Sequence, residues 1–96
     1  MTPIHLDDPN DPRLADYVAL TDVELRRRVE GDRGVFIVEG ALAIERLVQS
    51  SYAVRSVLTN RRAFERLRDV LADVDAPVYV VADDVMRATV GFDLHR

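Results

Sequence analysis

GVFIVEGALAIERLV, residues 34–48, changes its hydrophobic period halfway along. Val35, Phe36, Ile37 and Val38 are a β-branched and aromatic run without polar alternation, the pattern of a strand buried on both faces. Beyond Glu39 and Gly40 the apolar positions Ala41, Ile44, Leu47 and Val48 recur at helical spacing. Gly40 permits a tight turn and a close backbone approach just past a strand end, which is where open α/β sheets bind ligands. Glu39 stands beside the exposed first amides of the helix. The plainer reading is a glycine-assisted turn with a solvated glutamate. The junction is neither a dinucleotide fingerprint, since G-x-G-x-x-G is absent, nor a P-loop.

Working outward, the same strand-and-helix rhythm repeats. Val54 to Thr59 and Val78 to Val81 are two further strand patterns. Between them lies a helical pattern carried by Phe64, Leu67, Leu71 and Val74. Asn60 and Asp83 suit helix N-caps, Pro77 blocks continuation of the preceding helix, and Gly91 suits a helix stop. Towards the N-terminus, Asp11-Pro12 has the form of a cap followed by proline at the first helical position, predicting a helix over about 12–20. Thr21-Asp-Val-Glu24 matches a capping box and predicts a polar second helix ending near Gly31, which carries Arg26, Arg27 and Arg28. The expected order is α-α-β-α-β-α-β-α. Strands alternating with helices of about ten residues imply a mainly parallel sheet covered on both faces, an α/β fold of the three-layer α/β/α sandwich type. Residues 1–20 read as an N-terminal extension with a first helix, and residues 21–96 as the body of the domain.

Ninety-six residues, 48% of them hydrophobic and 31% charged, suit one globular domain rather than a disordered tail. No stretch approaches the apolar length of a membrane span, and the opening MTPIHLDDPNDP is acidic and proline-rich, unlike a signal peptide; a cytoplasmic protein is expected. There is no cysteine, and the two histidines, His5 and His95, stand ninety positions apart, so no metal site is expected. His5 reads as part of a flexible arm. No nucleophile–base pair or carboxylate dyad is identifiable, so no catalytic residue is assigned.

The net charge of −4 opposes nonspecific coating of nucleic acid, but it averages over a strong pattern. Residues 1–25 hold one Arg against six acids, residues 26–68 ten Arg against five, and residues 69–96 two Arg against six. Positive charge is therefore concentrated mid-chain. Arg26, Arg27 and Arg28 span about 200° of a helix, so at least two must face solvent. Arg61, Arg62, Arg66 and Arg68 flank the Phe64/Leu67/Leu71 stripe, with Glu65 and Asp69 placed to pair with them. Of the tyrosines, Tyr79 lies in an apolar strand and reads as core, whereas Tyr52 in the loop SSYA is the better candidate to stack on a base.

The polar, Arg-bearing helix followed by G-x-F-I-x-E-G, the strand ending near VLT, the PVYVV strand and the closing Gly91-Phe-Asp-Leu-His95-Arg96 resemble the N-terminal substrate-binding domain of SpoU/TrmH-type RNA 2′-O-ribose methyltransferases. The resemblance covers nearly the whole chain, and DPRL near the start is similar to an extension found in one branch. It implies a fold like that of the ribosomal proteins that grip kinked RNA, and a role in delivering RNA to a knotted catalytic domain that binds S-adenosylmethionine. It also implies a full-length protein that is a homodimer through that domain. The motifs of the catalytic domain have no counterpart in residues 1–96, so no cofactor is expected here. On this reading Arg26, Arg27, Arg28, Arg33, Arg61 and Arg62 contact phosphate, Tyr52 stacks, and Glu39-Gly40 shapes the surface. Structured RNA is the expected partner, ribosomal RNA ahead of transfer RNA. The rival reading is an α/β protein-interaction or dimerisation module that touches no RNA.

Overall fold

The structure is a computed structural model in which residues 2–18, 38 and 40–91 are described. In chain order these form β1 (Ile4–Leu6), a 3₁₀ helix (Pro12–Tyr17), α1 (Ala41–Val48), β2 (Val57–Asn60), α2 (Arg61–Leu71), β3 (Val78–Val81) and α3 (Asp83–Val90). The strands make one sheet in the order β1-β3-β2. β2 and β3 run parallel, with Val57 opposite Val78 and Asn60 opposite Val81. The chain divides into two compact units, one built from residues 1–5 and 38–81 and the other from residues 6–37 and 82–96.

In the first unit the core is the meeting of α1 and α2 with one sheet face. Phe64, Leu67 and Leu71, spaced to share one side of α2, are buried with Val57, Val78 and Val80. Ala41, Ile44 and Val48 of α1 close over the same cluster, with Val54 and Val74 at its rim. Each fully buried apolar side chain of this kind contributes about 1.5–3 kcal/mol of transfer free energy. All four residues of β3 are buried, so the central strand is sealed on both faces, as a three-layer α/β/α sandwich requires. Tyr79 is core, as its neighbours indicated. The fold class read from the sequence therefore stands.

In the second unit the 3₁₀ helix packs with α3. Leu14 is wholly buried, and α3 buries Val85, Met86, Thr89 and Val90. The buried Thr89 hydroxyl donates to the Val85 carbonyl at 2.8 Å, which removes the cost of an unpaired polar group there.

Several boundaries differ from the sequence expectation, each for a local reason. The Asp11-Pro12 start is as expected, with the Asp11 carboxylate accepting from the Arg13 amide at 2.9 Å. The element it starts is a 3₁₀ helix that ends at Tyr17, and Val18 is already extended. Six residues are too few for a stable α-helix, and the tighter coil suits a short connector. His5 belongs to β1 rather than to a flexible arm: Ile4–Leu6 gains its structure by pairing beside β3, not from a pattern of its own. The second strand begins at Val57 instead of Val54 and runs on to Asn60. The cap of α3 falls on Ala82, which makes no side-chain cap bond, and Asp83 is the first helical residue. The expected strand at Val35–Ile37 and the helix expected from Thr21 to Gly31 lie outside the described residues, as does the segment Phe92–Arg96.

Candidate nucleic-acid interface

The most basic described element is α2. Asn60, the last residue of β2, has extended backbone, and its side-chain oxygen accepts from the Ala63 amide at 2.8 Å, so the strand ends in the cap of the helix. The apolar stripe then turns Phe64, Leu67 and Leu71 inward, and Arg61, Arg62, Arg66 and Arg68 are left exposed. The four arginines are not equivalent. Arg68 donates to Glu65 at 3.0 Å and lies 5.5 Å over the Phe64 ring, so its charge is partly spent within the helix. The pairing anticipated for Glu65 thus occurs at i,i+3. Among the described residues, Arg61, Arg62 and Arg66 form no ion pair.

Arg61 and Arg62 also stand where helix physics disfavours them. The first turn of α2 contains no acid, and the unsatisfied amides there carry the positive end of the helix dipole. Two cations placed on that end weaken the helix slightly and strengthen the local positive field. A phosphate would relieve both.

Tyr52 is 65% exposed, in the turn after α1. The Ser50 hydroxyl donates to the Leu47 carbonyl at 2.6 Å and accepts from the Tyr52 amide at 3.1 Å, which fixes the turn that presents the ring. Tyr52 precedes β2 and Arg61 follows it. Four residues of parallel strand, at about 3.3 Å each, put about 13 Å between the two ends, so these residues serve opposite ends of β2 rather than one point. Both residues face solvent, but the fold holds them apart.

Gly40 caps α1 with φ 95° and ψ 146°, a conformation open essentially to glycine alone. A Cβ there would meet nothing within 4 Å, so the glycine is required by its backbone angles and not by a close approach. Arg26, Arg27, Arg28, Arg33 and Glu39 lie outside the described residues. Arg66 was not among the expected phosphate ligands; its i,i+4 spacing from Arg62 is the signal that singles it out. Among the described residues no group of three or more His, Asp or Glu side chains is placed to hold a metal ion, and no helix is long and apolar enough to cross a membrane.

The chain is 35% identical, over 93% of its length, to proteins named uncharacterized tRNA/rRNA methyltransferase in Mycobacterium bovis and in two strains of Mycobacterium tuberculosis. It spans 31% of the length of each of these relatives. No family model and no solved structure matches it. The chain is thus related to proteins that carry an RNA methyltransferase name.

Proposed function

We propose that this chain is the RNA-recruiting domain of an S-adenosylmethionine-dependent RNA ribose 2′-O-methyltransferase of the SpoU/TrmH type. Ribosomal RNA stands ahead of transfer RNA as its substrate. The observation that carries this reading is the relationship to proteins named tRNA/rRNA methyltransferase, joined to a capped helix whose first two turns expose cations without carboxylate partners among the described residues. In the full-length protein, methyl transfer and homodimer contacts belong to the part of the relatives that lies outside this match. S-adenosylmethionine supplies the methyl group when bound. The groups gathered around β2 here are solvent-facing cations and one aromatic ring, which suit an RNA backbone and base and do not fit an enclosed donor site, so no step of the transfer is assigned to them.

The role of this chain is then to bind and orient. Arg61 and Arg62 hold phosphate at the start of α2 through charge and forked hydrogen bonding, and Tyr52 offers a face for an unstacked base. Binding of a labelled RNA hairpin, followed through a salt series, tests this. Arg61→Ala combined with Arg62→Ala should lower the slope of log affinity against log salt by about 0.7–0.9 for each phosphate no longer held. Unchanged binding would favour the protein-interaction reading, which draws on the exposed Leu42 and Tyr52. In parallel, the 96-residue chain should show no calorimetric affinity for S-adenosylmethionine. A micromolar constant, about −8 kcal/mol, would place donor binding in this domain and overturn that division of labour.

A further inference from the structure

The solvent side of α2 carries its charges in blocks. At 100° per residue, Arg62, Arg66 and Asp69 fall within about 40° of one another, opposite the buried stripe. Read along the axis, the ridge is positive, positive, then negative, and Asp73 adds a second exposed carboxylate just past the helix end. The rise of 1.5 Å per residue puts Arg62 and Arg66 about 6 Å apart and Asp69 about 4.5 Å further on. This arrangement runs against the helix dipole, which favours acids at the N-terminus and bases at the C-terminus. Helix stability does not account for it.

Resting on the RNA-binding reading, we propose that this ridge sets the course and length of the bound RNA. The backbone seats on Arg62 and Arg66 and is turned off the helix by Asp69 and Asp73, so it crosses α2 near its N-terminus instead of lying along it. Arg66 thereby binds phosphate, Arg68 does not, and the two carboxylates limit the site. A strand following the ridge would bring its phosphates against Asp69 and Asp73 well inside the screening length of about 8 Å at physiological salt. Asp73 is the cleaner of the two probes: it is seven residues beyond Arg66, too far to act by pairing with it.

The test uses oligouridylates of increasing length and the same RNA hairpin, with the intact chain and three variants whose folding is checked by thermal melting. For the unaltered chain, affinity should stop rising at a short oligonucleotide length. Asp69→Asn with Asp73→Asn, and Asp73→Asn alone to a smaller degree, should move that plateau to longer oligonucleotides and steepen the salt slope by about 0.7 for each single-strand phosphate newly bound. Arg62→Ala with Arg66→Ala should flatten the slope by the corresponding amount. An unmoved plateau in the Asp variants, with the Arg variant weakened, overturns this inference and leaves the RNA-binding reading standing. Binding indifferent to the Arg62/Arg66 change as well as to the Arg61/Arg62 change removes both.

Discussion

The starts of α2 and α3 solve the same problem in opposite ways. Each helix follows directly on one of the two paired parallel strands. α2 has a side-chain cap in Asn60 and then two arginines. α3 has no side-chain cap and then two aspartates, Asp83 and Asp84, with Arg87 in its last turn and Gly91 stopping it at φ 88°. In α3 the charges agree with the dipole and stand in for the missing cap. In α2 the cap compensates for charges that oppose the dipole. A helix serving only as scaffold has no reason to carry that conflict, and the difference marks α2 as the element kept for a ligand.

If α2 is held by its apolar stripe and not by its surface charges, the largest effect should come from the stripe. Phe64→Ala should cost about 3–5 kcal/mol in urea unfolding, from lost transfer energy and the cavity left behind. A cost under about 1 kcal/mol would mean that the helix is anchored elsewhere, and the contrast with α3 would fail.

The caps themselves come next. Asn60→Ala should lose about 1 kcal/mol, and Ala82→Asp, at an exposed position with suitable extended backbone, should gain a similar amount. Opposite signs of comparable size in thermal melts would show that capping is what the two starts distribute differently. A neutral Ala82→Asp would instead show that Asp83 and Asp84 already satisfy that helix end.

Surface charge should matter less and should vanish with salt. Arg62→Glu is expected to stabilise α2 by about 0.3–1 kcal/mol at low ionic strength, and Asp84→Lys to destabilise α3 by the same order. Equal signs for the two would remove the electrostatic half of the comparison.

The weakest effect is expected at the third capped element, the 3₁₀ helix. Arg13 donates from Nε and Nη2 to Asp11 at 2.9 and 2.7 Å, and the Arg13 amide donates to the same carboxylate. These hydrogen bonds, with the side-chain pair foremost, lower the Asp11 pKa from 3.8 to about 2. Because the folded value lies below the unfolded one, the contribution is complete above pH 3.8 and fades as the pH falls towards 2. Asp11→Asn should flatten the melting temperature across that window, and an unchanged acid limb would show that the clamp adds nothing to stability.

Local chemistry was enough to place the Asp11-Pro12 start, the Asn60 cap, the Gly91 stop and the strand at Val78–Val81. It also identified the inward stripe of α2. Each rests on residues within one or two turns, where conformational preference and hydrophobic period act directly. β1 was not legible, because three residues among proline and aspartate carry no period and become a strand only when β3 lies alongside. The 3₁₀ form of the second element was hidden for a related reason, since its length is decided by what packs over Leu14. The candidate site divides along the same line. That arginines cluster mid-chain is plain in the sequence. Which of them is occupied, as Arg68 is by Glu65 and Phe64, and that β2 holds Tyr52 and Arg61 at its opposite ends, was decided by tertiary structure, because contacts across space are not ordered by distance along the chain.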